Sequence, residues 1–201
     1  MSGYYIKSQT FLNAQRTLIK GAPTFEIATV EEMLPHLRAD DDPTISSLVS
    51  DYIIAAREFI ENEAAVSLVQ RTVTIYLDEF PCGPIEIRYP PVQSVTSVTY
   101  LDDSGSSTTL SASLYRADLT TKPGRITPAL DELWPSTATA TNAVTVVAVV
   151  GYTSAALIPA CAKQAHRIAV KAMYDSGGTL CDDMRMAISS MLDPIRWEGG
   201  V

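Results

Sequence analysis

The stretch "DPTISSLVSDYIIAAREFIENEAAVSLVQRTVTIYL", residues 42–77, contains a change of period, and that change decides the fold class. In its first part Ile45, Leu48, Val49, Tyr52, Ile53, Ala56, Phe59 and Ile60 recur three and four residues apart, as one apolar stripe of a helix does. Asp42 before Pro43 marks the start. An aspartate at N-cap accepts from the free N–H groups of the first turn, and a proline at N1 lacks an N–H that would have had no partner. From Arg71 the period is two: Val73, Ile75 and Leu77 take one face, Thr72, Thr74 and Tyr76 the other. The spacing predicts a helix over 43–67 followed at once by a β region.

Toward the N-terminus, Thr29 and Glu32 form a capping box that starts a helix over 29–37, where Pro35 imposes a kink or an early stop. Toward the C-terminus, short strand-like runs follow: "IEIRYP", "SVTSVTYL", "TTL", "LYRADL", "GRIT" and "AVTVVAVVGY". Pro-Cys-Gly-Pro, Lys-Pro-Gly and Asp102–Asp103–Ser104–Gly105 punctuate them as turns. After Pro159 the helical period returns in Ala162, Ala165, Ile168, Ala169, Ala172 and Met173, and Gly177–Gly178 ends it. This gives a helix over 159–175, with a last short one over 183–192. The predicted class is α+β: a small helical bundle carrying an antiparallel β insertion. Its parts are a basic N-terminal arm (1–25), a helical part (26–70), a β-rich insertion (71–151) and a C-terminal helical part (152–201) that completes the bundle.

Charge narrows the function. The chain of 201 residues has net charge −8 and should be repelled by nucleic acid phosphates. Lys7, Arg16 and Lys20 are the charges of residues 1–25, which hold no acidic residue, while the other residues hold 12 basic and 23 acidic side chains. Such an arm on an acidic body, with Phe11, Leu12, Leu18 and Ile19, reads as a docking segment. Cys82, Cys161 and Cys181 are odd in number and widely spaced, so neither a disulfide framework nor a zinc site is expected. No apolar segment follows basic residues at the start, and "VTVVAVV" at 144–150 is far short of a membrane helix. The expectation is a soluble, cytoplasmic protein with no membrane contact.

Catalytic patterns are lacking: there is no G-x-S-x-G, P-loop, G-x-G-x-x-G or H-E-x-x-H. His36 and His166 are far apart, and His166 in "AKQAHRIA" reads as a helix-surface or partly buried histidine. The run Asp40–Asp41–Asp42 complements a helix N-terminus and lacks the ligand ladder of a calcium loop. No catalytic residue, metal site or cofactor is expected. Lys163, Arg167 and Lys171, four apart, stack on one helical face. On an acidic molecule they suit an acidic partner or neighbouring subunit. Residues 26–63 would serve as its other half, with ten carboxylates against Arg38 and Arg57. Asp51, Glu58 and Glu61 are its candidate contacts.

"TVEEMLPHLRADDDPTISSLVSDYIIAAREFIE", "YPPVQSVTSVTYLDDSG", "LYRADLTTKPGRITP", Trp134-Pro135, "VTVVAVVGYTSA", "IPACAKQA" and "MLDPIRW" stand in the order seen in tailed-bacteriophage head–tail connector proteins. The chain resembles that family over about residues 27–197. The resemblance implies a head-completion adaptor, a structural virion protein and not an enzyme. Its implied partners are a portal protein, a downstream tail or stopper protein and copies of itself in a ring of twelve, through which DNA passes without sequence-specific binding. Its implied place is the virion neck, after assembly in the host cytoplasm. The arm at 1–25 is longer than is usual there. The rival reading is a β-rich module for carbohydrate or protein ligands, using Tyr76, Tyr89, Tyr100, Tyr115 and Trp134.

Overall fold

A computed structural model describes residues 15–197, with residues 15–19 described by their backbone alone. Two compact units form. The helical unit takes Pro23–Arg71, Arg88–Pro91 and the chain from Val150 onward; the sheet unit takes the chain through Ala22, Thr72–Ile87 and Val92–Val149.

In the helical unit the expected helices are present: α1 (Val30–Leu37), α2 (Pro43–Ala64), α3 (Ala160–Ser176) and α4 (Asp182–Leu192). The capping box closes both ways, with Glu32 N donating to Thr29 Oγ1 (3.3 Å) and Thr29 N to Glu32 Oε2 (3.2 Å). Pro35 sits inside α1, which stops three residues later at Arg38 in the left-handed region. Asp42 Oδ1 accepts from Thr44 N (2.8 Å) and Ile45 N (3.4 Å), and Pro43 takes N1. Gly177 (φ 71°) ends α3, and Gly178 N donates to Met173 O at 2.7 Å. Val49, Ile53, Ala56, Ile60 and Ala64 of α2 join Ala162, Ala165, Ala169 and Val170 of α3 in one core with Met33, Leu37, Ile188 and Leu192. The small α3 residues let the two long helices approach closely.

One boundary differs. The helix predicted to reach residue 67 ends at Ala64, with Ala65 left-handed (φ 53°). The carboxylate of Glu61 accepts from Leu68 N (2.7 Å) and Val69 N (3.4 Å), so the chain folds back over the last turn and cannot continue it. The C-terminal segment is fastened to the same turn. Arg196 donates to Glu63 O (2.8 Å) and Ser189 Oγ (2.6 Å), and Trp197 N to Ala64 O (2.9 Å).

The sheet unit holds β1 (Gln15–Lys20), β2 (Arg71–Leu77), β3 (Ile85–Ile87), β4 (Val92–Leu101), β5 (Ser107–Thr109), β6 (Tyr115–Asp118), β7 (Gly124–Pro128) and β8 (Val144–Val150). They form a five-stranded sheet ordered β1-β2-β8-β4-β5 and a three-stranded sheet ordered β3-β7-β6. The pairs β1–β2, β4–β5, β3–β7 and β6–β7 are antiparallel. Alternate residues are buried along β2 and β8, as the period of two requires. The two sheets come together at Gly124 of β7 and Val92 of β4. A Cβ on Gly124 would lie 2.7 Å from the Val92 side chain, so this contact needs glycine.

The expectation of an arm over 1–25 is corrected in part. Gln15–Lys20 pairs with β2, with Leu18 opposite Ile75 and Lys20 opposite Val73, so this segment is an edge strand of the sheet. Residues 1–14, including Lys7, lie outside the described residues. The hairpin expected in 89–105 is β4 with its turn to β5. Asp102 Oδ1 accepts from Ser104 N (2.9 Å) and Ser106 N (3.0 Å), and Gly105 supplies φ 80°.

Candidate interaction surfaces

The acidic and basic residues of the helical unit divide into those satisfied inside it and those that face out. Arg57 is buried on α2. Its Nε donates to Glu26 Oε2 (2.7 Å) and its Nη1 to Glu61 Oε2 (3.2 Å), while Arg71 Nη2 donates to the same Glu61 oxygen (2.7 Å). Burial works against the Arg57 charge, but the Glu26 and Glu61 carboxylates outweigh it and raise its pKa. Glu61 is therefore no interface residue. Its carboxylate is buried, shared by two guanidinium groups and used to turn the chain after α2.

His166 is likewise interior rather than on or near the helix surface. It is fully buried, with Nε2 3.0 Å from Ile53 O, and joins α3 to α2. Burial lowers its pKa; the Ile53 carbonyl and the Glu26 charge oppose this, and Arg57 and Arg167 add to it. The neutral imidazole donates from Nε2 to the carbonyl.

Two outward faces remain. On α2 the exposed stripe is Leu48, Asp51, Ile54, Ala55 and Glu58, in which Leu48 and Ile54 stay 43% and 38% exposed. Glu58 has one ion pair, at 3.8 Å, with the already occupied Arg57. Asp51 has no hydrogen bond or ion pair among the described residues. On α3 the three cations do not stay equivalent. Lys163 Nζ donates to Ala156 O (3.2 Å) and Lys171 pairs with Asp175 (2.5 Å), whereas exposed Arg167 has no such partner among the described residues. Leu157, 60% exposed, lies just before this helix. Of the proposed arm cations, Lys20 is half-buried in β1, and Arg16 lies in β1 by backbone alone.

In the sheet unit the notable surface is a loop that sequence reading passed over. Leu130 and Leu133 are 81% and 88% exposed on a loop fixed from below. Trp134 stacks on Phe80 (4.7 Å between ring centroids, 6° between planes), Ser136 Oγ donates to Asp103 Oδ2 (2.7 Å), and Ala129 N donates to Leu114 O (3.0 Å). The signal was "ALDELWP", two leucines between charges ahead of a Trp-Pro. Tyr76, Tyr89, Tyr100, Tyr115 and Trp134 are all half-buried, so they do not make the open aromatic platform of the carbohydrate reading.

No protein-family model and no curated protein matches the sequence. Solved structures do. The chain is similar to one in the neck of an empty gene transfer agent particle computed with C6 symmetry, at TM-score 0.78 and 21% identity, covering 92% of this chain and 98% of that one. A chain in the virion of the native gene transfer agent particle matches at TM-score 0.72 with the same identity and coverage. A third, in the neck of the native particle computed with C12 symmetry, matches at TM-score 0.64 and 23% identity, covering 92% and 99%. Four helices around one core, with β1 ahead of α1 and strands β2 to β8 between α2 and α3 in the chain, thus make the fold of a chain found in the neck of gene transfer agent particles.

Proposed function

We propose that this chain is a head–tail connector: a structural, non-catalytic virion protein of the neck that forms a ring under the portal, continues the DNA channel and gives the tail its platform. The likeness at TM-score 0.78 over nearly the full length of both chains carries the reading, because a neck chain is matched end to end and not in one common motif. The ring is supported by the C6 and C12 symmetry of those necks. Net charge −8 suits a conduit that DNA passes without being held. The portal and a downstream tail or stopper protein are the partners this role requires.

Light scattering of the full chain, alone and mixed with the portal protein of its own particle, tests the role. Twelve copies of a 21.7 kDa chain scatter as a species of about 260 kDa. A ring-sized species in either sample supports the connector; monomer in both overturns it.

A further inference from the structure

The two outward faces of the helical unit complement each other in charge. Asp51, a carboxylate with no partner among the described residues, stands between two exposed aliphatic side chains, Leu48 and Ile54. Arg167 is the cation left over, among the described residues, on a helix whose other two stripe members are engaged within the chain. A carboxylate flanked by aliphatics on one helix and an unengaged guanidinium on another are suited to be the two halves of an interface. Apolar rims exclude water from an ion pair, so it is screened less than a bare surface pair.

We infer that the Asp51 face of α2 docks on the Arg167 face of α3 of a second copy of this chain. The inference rests on the ring reading and specifies its contact. The halves are different patches of one surface, so the contact is heterologous, and repetition of it about an axis closes a ring. A two-fold dimer could make the same pair only with both faces meeting at one axis, whereas the head-to-tail use of the two faces builds the ring. Every subunit then uses both faces, which accounts for Asp51 and Arg167 having no partner among the described residues. Glu58, seven residues along α2 and about 10 Å from Asp51, extends the acidic face beside the pair.

Charge exchange between copies provides the test. Asp51→Arg leaves arginines on both faces, and Arg167→Asp leaves aspartates on both, so each variant alone should associate at least tenfold more weakly than the parent. Mixed in equal amounts, the two variants present opposite charges at every contact if they alternate. An even-membered ring, six or twelve, can alternate all the way round, so the mixture should recover rings that neither variant forms. The double variant should recover them by itself. Both substitutions sit on exposed positions, and recovery in the mixture shows that each variant is folded. Native mass spectrometry reads copy number and composition. Rings formed equally by either single variant overturn this contact and leave the connector role standing, as does loss that neither mixture nor double variant restores. A parent chain that stays monomeric, alone and with portal, overturns the connector role and this contact with it.

Discussion

Glu61 shows how much a single side chain can decide. Its carboxylate answers two buried guanidinium groups and two backbone N–H groups at once, so no other residue type satisfies the site. Glu61→Gln should remove about 3–5 kcal/mol of stability, because Arg57 and Arg71 would be left inside with Glu26 as the remaining carboxylate. Urea unfolding measures this, with Glu58→Gln, on the exposed face, as the comparison that should change little. Sequence placed Glu61 among the surface acids because the helical stripe alone leaves it at the edge of the apolar face. One partner, Arg57, lies a turn upstream on the same helix, but Leu68 N, Val69 N and Arg71 come from seven to ten residues downstream, beyond the helix end, where no helical spacing announces them. His166 has a different consequence. Its folded pKa lies below the usual 6.5, so the unfolded chain takes the proton first. Stability is level above about pH 6.5 and falls below it, by at most ~1.4 kcal/mol per pH unit, until the folded pKa is reached. The groups acting on the ring are Glu26, Arg57 and Arg167. His166→Gln should flatten the urea midpoint between pH 7 and 5.5, and an unchanged slope would assign the dependence to other groups.

Elements were legible wherever their ends are written locally. The capping box at Thr29, the Asp42–Pro43 start and the Gly177–Gly178 stop each involve residues within a turn of one another, and each appears in the structure as the sequence implies. Asp42→Ala should accordingly cost about 1 kcal/mol, read by thermal unfolding, since two first-turn N–H groups lose their acceptor. β1 was not legible. Read alone, "QRTLIK" lacks turn residues on its N-terminal side and carries two cations and a glutamine, so it passed for part of an arm. Those charges instead suit an edge strand, where Lys discourages further pairing. Nor does the sequence reveal the contact between Val69 and Tyr152, a parallel bridge across 83 residues that fixes the return of the chain into the helical unit. Gly151 makes it possible: its φ is 91°, and a Cβ would stand 2.1 Å from Val69 O. The obstacle is backbone and cannot rotate away. Gly151→Ala should cost on the order of 3 kcal/mol or more, well beyond the ~1 kcal/mol of an ordinary Gly–Ala exchange. A thermal midpoint close to the parent's would show that the bridge can open without loss.

At the scale of the molecule, charge decides between two uses of the α3 cations. A DNA-gripping face and a subunit contact both employ exposed arginine and lysine, but they differ in number and in setting. Non-specific duplex binding needs several simultaneous phosphate contacts, and each adds to a steep salt dependence. Here Lys171 is neutralised by Asp175 and Lys163 is turned to a carbonyl, so among the described residues α3 offers Arg167 alone as an unengaged cation, on a body of net charge −8. That is too little to hold DNA and enough to orient a neighbour. The chain, as monomer or ring, should therefore leave a duplex of about 200 base pairs unshifted in a gel at micromolar protein and roughly 150 mM salt, where non-specific binders with dissociation constants of 10⁻⁴–10⁻⁶ M begin to be seen. A shift that fades linearly with the logarithm of salt concentration, and that Arg167→Asp removes, would give α3 to the nucleic acid and take it from the subunit contact. Absence of a shift, together with the loss of rings in Arg167→Asp, would place the same side chain between copies. On the connector reading proposed above, the cations would then be spent on assembly and not on DNA.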